Sequence, residues 1–195
     1  MLRQVSTSET EIILQNLGDC LAVAGDVVEL GCYEGDSSLL FAERLKKTGS
    51  EKKLWIYDSF EGLPEKSAED FSEAGRDFRE GELKVTKKYV KQRFLRANLA
   101  LPIIKKAWFS ELDPEGDLPK EICFAFLDGD LYQSIKTSLG LVAGKVSAGG
   151  KIIVHDYNNP QLPGAAKAVE EFLALDNKAW KFSQRETLAI LTRIR

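Results

Sequence analysis

The stretch VELGCYEGDSS, residues 28–38, decides the fold, because an apolar strand leads there into two spaced glycines and a helix start. A short apolar run that ends in glycine is typical of a buried parallel strand. Gly31 and Gly35 permit a tight turn at which backbone N–H groups can approach a ligand closely. The dinucleotide fingerprint GxGxxG is absent, since residues 33–34 interrupt it. The turn therefore predicts a ligand site at the end of the first strand.

On either side of this turn, apolar strands alternate with amphipathic helices. The predicted strands lie at residues 26–31, 53–58, 103–109, 122–127, 151–154, 180–182 and 188–194. The predicted helices lie at 8–24 (within an N-terminal segment 1–25), 36–49, 86–98, 132–146 and 164–175. Asp36 or Ser37 is expected to cap the second helix, and Gly149-Gly150 to end the fourth. The alternation predicts one α/β domain over residues 1–195, with a doubly wound, mostly parallel, Rossmann-like sheet of seven strands and an antiparallel C-terminal strand.

Composition and charge exclude several classes of protein. Lys and Arg total 27 against 30 Asp and Glu, a net charge of −3, so no broad basic field predicts nucleic-acid binding. Cys20, Cys32 and Cys123 are far apart, which favours reduced thiols over a disulfide framework. No apolar run approaches the length of a membrane span or a signal peptide. We expect a cytoplasmic protein without nucleic-acid or membrane partners, and self-association into a homo-oligomer stays open.

Residues 60–82 form a long polar segment in which Gly62, Pro64, Gly75 and Gly81 break any long helix or strand. A connection of this length inside a compact domain is either a functional lid or a disordered loop. We expect a lid that closes over the substrate and excludes water.

The helix predicted after this segment is basic. Its cations, with the one just before it, are Lys84, Lys87, Lys88, Lys91, Arg93 and Arg96. They form either a solvated helix face or a surface that holds an anionic substrate, such as a nucleotide-linked or phosphorylated sugar.

Acidic residues follow three predicted strands: Asp58, then Asp128 and Asp130, then Asp156, while Glu29 lies just before the end of the first strand. A carboxylate directly after an apolar strand is costly unless it is solvated, paired or bound to a cation. Asp58, at the end of the second strand, is placed to accept hydrogen bonds from ribose hydroxyls. With the glycine turn, it predicts an adenosine-type ligand without a pyrophosphate.

A second group of polar residues follows the two apolar strands at 122–127 and 151–154. If these strands are neighbours, Asp128, Asp130, His155 and Asp156 share one pocket, and clustered oxygen ligands suit Mg²⁺. Alternatively, the aspartates cap the helix or turn that follows each strand. His155, the one histidine of the chain, is a packed structural residue, a metal ligand or a general base.

Five segments resemble the macrocin O-methyltransferase family in their order and spacing. They are ELGCYEGDSS (29–38), YDSFEGLPE (57–65), LDGDLYQS (127–134), GGKIIVHDY (149–157) and PGAAKAVEEF (163–172). The resemblance covers most of the chain from about Val27 to Phe172, and DSFEGLP and DGDLY are its specific part. It implies a class I methyltransferase fold and S-adenosylmethionine as the cofactor.

The resemblance also implies roles for individual residues. Around the methionine part of the cofactor it places Glu29, Gly31, Tyr33 and Ser37; at the ribose, Asp58 and Ser59; near the adenine, Trp108, Phe109 and Ser110. Asp128 and Asp156 would be metal ligands, and Asp128 or Asp130 would help to deprotonate the acceptor. Asp128 is also expected to contact the cofactor.

One departure from the family's sequence pattern affects the expected metal site. Members that modify antibiotics carry two acidic residues where this chain has His155-Asp156, so we expect Asp128, His155 and Asp156 to hold Mg²⁺ or Mn²⁺, or His155 to act as the base without a metal. The expected function is methylation of a hydroxyl on a small molecule, such as a sugar or a glycosylated metabolite. The alternatives are a non-catalytic cofactor-binding module and a nicotinamide-linked oxidoreductase, although the phosphate-binding glycines of the latter are missing.

Overall fold

The computed structural model describes residues 5–74, 78–175 and 178–194, in which helices and strands alternate. The helices are α1 (Thr7–Cys20), α2 (Asp36–Thr48), α3 (Lys87–Arg96), α4 (Pro114–Asp117), α5 (Tyr132–Val142) and α6 (Pro163–Leu175). The strands are β1 (Asp26–Leu30), β2 (Leu54–Asp58), β3 (Ile103–Lys106), β4 (Ile122–Leu127), β5 (Val146–Val154), β6 (Trp180–Arg185) and β7 (Leu188–Arg193). The predicted N-terminal helix corresponds to α1, and residues 1–4 of its segment lie outside the described residues.

Within the described chain, seven strands form one sheet in the order β3-β2-β1-β4-β5-β7-β6. Strands β1 to β5 pair in parallel, and β7 runs antiparallel to both β5 and β6. This confirms the predicted mostly parallel α/β sheet with an antiparallel C-terminal strand. The chain builds outward from β1 in one direction and from β4 in the other, so a crevice opens beyond the carboxyl ends of these two strands.

Helices cover both faces of the sheet, and β4 contributes buried side chains to each. Phe124 and Phe126 lie on the face covered by α1, α2 and α3, where both pack edge-on against Phe41 at centroid distances of 5.8 and 5.7 Å. Ala125 and Leu127 lie on the face covered by α5 and α6. Burial on both faces holds the end of β4 rigidly, directly before the predicted acidic cluster. None of the helices in the described ranges has the length and apolarity that a bilayer crossing requires.

The predicted cap of α2 is wrong. The N-cap is Gly35, in the left-handed region at φ +82°, and no side chain caps the helix. Asp36 is already helical, and the Ser37 hydroxyl donates to a Glu29 carboxylate oxygen instead. The backbone geometry of the glycine therefore starts this helix, and its hydroxyls are available for other contacts.

The predicted end of the fourth helix is also wrong. Helix α5 ends at Val142, and Gly149-Gly150 lies inside β5. In the pairing of β4 with β5, the register shifts between Val146 and Lys151, and Gly149 adopts φ +82° within that irregularity. A glycine pair marks a strand bulge as readily as a helix end, and the pairing partner decides which of the two forms.

Candidate active site

The turn between β1 and α2 packs tightly against the end of β4. Gly31 adopts φ +89°, and a Cβ at this position would collide with the carbonyl of Asp128. The Gly31 N–H donates to the Tyr57 carbonyl at 2.9 Å, and the Asp128 N–H donates to the Leu30 carbonyl at 2.9 Å. Only glycine fits this approach, so the turn and Asp128 border the same space.

Asp58 connects the end of β2 to this turn. Its Oδ2 accepts the Cys32 N–H at 2.9 Å and the Tyr33 N–H at 3.3 Å, while its Oδ1 accepts the Phe60 N–H at 2.7 Å. A carboxylate has about four lone-pair sites, so these three bonds leave capacity for a ligand hydroxyl. Asp58 is half-buried and borders a cavity over the strand ends.

Glu29 lies beneath the turn, fully buried. Its carboxylate accepts hydrogen bonds from the hydroxyls of Ser37 and Ser38, at the start of α2. Burial raises the pKa of Glu29 to about 8, against the lowering effect of the two hydroxyls. The residue therefore supports the turn from below, and its carboxylate borders neither of the two cavities at this end of the sheet.

The first of these cavities, of about 250 Å³, lies over the carboxyl ends of β1, β2 and β4. The predicted cofactor residues that line it are Gly31, Tyr33, Asp58, Ser59, Trp108, Phe109, Ser110 and Asp128. The Ser59 hydroxyl donates to the Gly62 carbonyl at 3.2 Å and accepts the Glu61 N–H at 3.1 Å, which fixes the wall after β2. The structure thus brings together four sequence segments whose residues the family resemblance implied as cofactor contacts.

Sequence reasoning missed part of this wall. Helix α5 adds the polar side chains of Gln133, Ser134 and Thr137 to the cavity. Their spacing along the first turns of a helix that begins directly after DGD was an available signal, since these positions face back toward the strand ends.

The predicted acidic cluster forms at the ends of β4 and β5. Leu127 pairs with Val154, which sets Asp128 beside His155 and Asp156. His155 Nδ1 lies 2.9 Å from Asp128 Oδ1 and 2.9 Å from Asp156 Oδ2. One ligand atom from each residue lies within 4.8 Å of the others, so the three residues are close enough to contact one metal ion.

Two groups of the cluster have shifted acid–base properties. Burial alone would lower the pKa of His155, but the Asp128 charge and the hydrogen bonds to Asp128, Asp156 and Glu9 raise it far above its usual range. Burial, followed by the charges of Asp128 and Asp156, raises the pKa of Asp130 well above its usual value. At neutral pH, therefore, the imidazole is a cation that balances the aspartates around it.

The capping interpretation of the aspartates is wrong for α5. Its N-cap is Leu131, which makes no side-chain cap, and Asp70 Oδ1 accepts the Tyr132 N–H at 2.7 Å. Asp130 instead borders the cavity in the left-handed region, at φ +58°. Asp156 Oδ1 accepts the Asn159 side-chain amide at 2.7 Å, a side-chain contact within the following turn, so its capping role stays a prediction.

Asp70 also anchors the predicted lid, residues 60–82, of which Gly75 lies outside the described residues. Asp70 is buried, and a Cβ on Gly164 would collide with its Oδ1, so α6 approaches it closely through a glycine. The two ends of the segment pair, with the Leu63 N–H donating to the Glu82 carbonyl at 2.8 Å and the Gly81 N–H to the Leu63 carbonyl at 2.9 Å. The two ends of the segment therefore lie together, and its residues 62–65 line the cavity.

A second cavity, of about 940 Å³, adjoins the first between α1, the start of α2, and α3. The two share Tyr33, Leu83 and Asp128. Its apolar wall consists of Val5, Ile13, Leu14, Leu39, Leu40, Phe41 and Tyr89, and its charged residues other than Asp128 are Glu34, Asp36, Glu43, Glu82 and Arg93. Asp128 therefore stands where a cofactor in one cavity would meet a molecule in the other.

The basic helix contributes little positive charge to this second cavity. Arg93 is its one cation among the lining residues of the described chain, and Arg93 pairs with Asp36 at 2.6 Å and with the Glu34 carbonyl at 2.8 Å. Lys84 pairs with Glu61 at 2.5 Å, and Lys87 donates to the Ile104 carbonyl at 2.6 Å. These contacts favour the solvated-face interpretation of the helix over an anion-binding one.

Comparison with known proteins agrees with this geometry. The chain is 32% identical over 157 residues to 8-demethyl-8-(2,3-dimethoxy-alpha-L-rhamnosyl)-tetracenomycin-C 4'-O-methyltransferase of Streptomyces olivaceus, covering 74% of this chain and 59% of the relative. It is 28% identical over 173 residues to demethyldecarbamoylnovobiocin O-methyltransferase of Streptomyces niveus, covering 83% and 65%. The chain thus spans about three-fifths to two-thirds of the length of these relatives.

Solved structures show the same fold. The O-methyltransferase NovP superposes with a TM-score of 0.83 at 26% identity, covering 99% of this chain and 82% of NovP. A calicheamicin methyltransferase superposes with a TM-score of 0.76 at 20% identity, covering 96% and 80%. The family model for macrocin O-methyltransferase matches residues 10–184. The chain belongs to the macrocin O-methyltransferase family.

Proposed function

We propose that this protein transfers a methyl group from S-adenosylmethionine to a hydroxyl of a small molecule, a sugar or a glycosylated metabolite. The observation that carries the proposal is the position of Asp128 at the junction of two adjoining cavities, one of them lined by the predicted cofactor residues. The two relatives from Streptomyces are O-methyltransferases, and the name of the one from Streptomyces olivaceus specifies a rhamnosyl compound, which supports the same chemistry here.

The cofactor is proposed to occupy the smaller cavity. Asp58 accepts hydrogen bonds from the ribose hydroxyls, and residues 108–110 line the adenine end. The methionine part follows the glycine turn past Gly31 and Tyr33 toward Ser37, which borders the second cavity. The sulfonium methyl then faces Asp128.

The acceptor is proposed to occupy the larger cavity, with its apolar part against α1 and α2. Acidic side chains outnumber cationic ones among the charged lining residues, and Arg93 is already paired with Asp36. An anionic acceptor would be repelled there, so we propose a neutral or positively charged glycoside. The loop over residues 60–82 closes the junction against water.

Positioning of the acceptor hydroxyl supplies much of the rate acceleration of methyl transfer, because the sulfonium methyl reacts with a nucleophile that is aligned with the carbon–sulfur bond. The acceptor oxygen attacks the methyl carbon, the carbon–sulfur electron pair returns to sulfur, and the hydroxyl proton passes to Asp128. His155 carries a proton in this arrangement, so we assign it the task of holding Asp128 in place and give the proton-accepting role to the carboxylate. Asp130 borders the cofactor cavity, and burial followed by the charges of Asp128 and Asp156 raises its pKa well above its usual value, which favours its neutral form.

The family resemblance raises the question of a divalent metal. Asp128, His155 and Asp156 fit one, since their ligand atoms converge within 4.8 Å. A set of two carboxylates and one imidazole suits Mn²⁺ better than Mg²⁺, which prefers oxygen ligands. When bound, such an ion would lower the pKa of the acceptor hydroxyl. The imidazole would have to release its Nδ1 proton to join the ligand set.

The test is methyl transfer from labelled S-adenosylmethionine to a panel of neutral, amino-substituted and phosphorylated sugars and glycosides, with EDTA, Mg²⁺ and Mn²⁺ in parallel. We expect labelled product with neutral or amino-substituted glycosides, and a loss of at least about 100-fold in Asp128→Asn. Stimulation by Mn²⁺ over Mg²⁺ would support the mixed ligand set, and full activity in EDTA would exclude it. Transfer only to phosphorylated sugars would contradict the proposed acceptor cavity.

A further inference from the structure

Glu9, on α1, reaches the acidic cluster from a part of the chain that the proposed chemistry does not use. It is buried, with 5% of its surface exposed. Its Oε1 lies 3.9 Å from His155 Nε2 and accepts a hydrogen bond from the Thr187 hydroxyl. Thr187 itself lies between β6 and β7. Three remote parts of the chain thus meet at the far edge of the imidazole ring.

The two carboxylate oxygens of Glu9 have separate partners. Oε2 accepts the Ser6 N–H at 2.9 Å and so completes a capping box at the start of α1. Capping alone would be satisfied by an exposed Glu, and it does not require Oε1 to be buried against His155 and Thr187. A buried carboxylate is costly unless paired, and the contact with His155 is the largest cause of the lowered pKa of Glu9.

We propose that Glu9 is a positioning residue: it holds the His155 ring so that Nε2 faces α1 and Nδ1 faces Asp128 and Asp156. An imidazole ring has two distinct nitrogens, and the partner of one decides what the other can do. The same orientation serves the cluster whether Nδ1 holds a proton or a metal ion. The importance of this orientation for catalysis rests on the proposed methyl transfer.

Because the chain contains one histidine, the imidazole ¹⁵N signals of the untagged protein come from His155 alone. We expect a wild-type Nε2–H that exchanges slowly with water, and at least about tenfold faster exchange in Glu9→Ala, with a change in the ring ¹⁵N shifts. Glu9→Gln keeps the capping box but loses the charge, so an intermediate change is expected. For methyl transfer, kcat should fall about 10- to 100-fold in Glu9→Ala while KM for S-adenosylmethionine stays within about twofold.

Ser6→Ala is the matched control, because it removes the capping hydroxyl of α1 and leaves Glu9 and His155 in contact. It should leave the imidazole signals and kcat as in the wild type. If Glu9→Ala fails to fold, the proposal is tested with Glu9→Gln and Thr187→Val, by the same imidazole ¹⁵N signals and Nε2–H exchange.

Unchanged ring signals in the folded Glu9 variants would overturn the proposal, even if methyl transfer is observed. If the signals change as expected but the wild type methylates no acceptor, the proposed function fails while the positioning role stands.

Discussion

The two halves of the candidate site hold their carboxylates in different ways. Around the glycine turn, neutral donors do so: Asp58 accepts three backbone N–H groups, and Glu29 accepts two serine hydroxyls. At the ends of β4 and β5, Asp128 and Asp156 instead share Nδ1 of the cationic His155. The half around the glycine turn is therefore arranged by neutral hydrogen-bond donors, and the half at the ends of β4 and β5 by the charge of one ring.

Removing the charge of the His155 ring should affect only the half at the ends of β4 and β5, and it should give the largest of the expected changes. His155→Asn keeps an N–H donor near Asp128 but removes the cation, which leaves buried carboxylates without compensation. We expect the free energy of unfolding at pH 7 to fall by about 3–5 kcal/mol, measured by urea denaturation. The raised pKa of His155 means that its stabilisation is complete below its unfolded pKa and is lost only at a pH well above 7.

Lys47→Met is a suitable control for this loss, because Lys47 pairs with Glu43 at 3.9 Å on an exposed face of α2. Losing this surface pair should leave stability unchanged. Equal stabilities of His155→Asn and the wild type would show that the ring is not the cation that holds the cluster.

The next prediction concerns the half of the site around the glycine turn. Asp58→Ala removes the acceptor of the Cys32, Tyr33 and Phe60 N–H groups and the proposed ribose contact. We expect the Kd for S-adenosylmethionine to rise about 100-fold, or about 2.7 kcal/mol, by isothermal titration calorimetry.

Asp26→Ala gives a matched comparison at the other end of the parallel strands. Asp26 accepts the Lys53 N–H and the Trp55 indole N–H, each at 2.9 Å, and does not border the cavity. Asp26→Ala should lower the free energy of unfolding and leave the Kd for S-adenosylmethionine unchanged. Wild-type affinity in Asp58→Ala would contradict the placement of the ribose.

How far the sequence predicted this site depends on how local each signal is. The glycine turn and the aspartates after β2, β4 and β5 were predictable, because neighbouring strands of a parallel sheet end at one edge and bring their next residues close together. The bulge at Gly149 was not, since a glycine pair is assigned to a helix end or a strand only by the register of its partner strand.

The long-range contacts were also out of reach. Asp70 caps α5 from within a loop that shows no periodicity, and Glu9 looks like an ordinary capping-box residue until β5 and the β6–β7 turn pack beside it. Both are carboxylates whose function depends on tertiary packing, which local residue patterns do not encode.

Glu29 lies below both halves, and the change that it predicts per pH unit is the smallest of the three effects. Its pKa is raised to about 8, first by burial and then, in part, by the charges of Asp128 and Asp58, one from each half. A carboxyl group whose folded pKa exceeds its unfolded value of 4.5 contributes stability that is complete below that value and is lost as the pH rises toward 8. Between these pH values the unfolding free energy of the wild type should fall by up to about 1.4 kcal/mol per pH unit relative to Glu29→Gln, measured by urea denaturation. Glu11→Gln, on the exposed face of α1, should keep the wild-type pH dependence. If Glu29→Gln keeps the wild-type pH dependence as well, Glu29 is already ionised at neutral pH, and the hydroxyls of Ser37 and Ser38 hold it as a full negative charge beneath the proposed cofactor site.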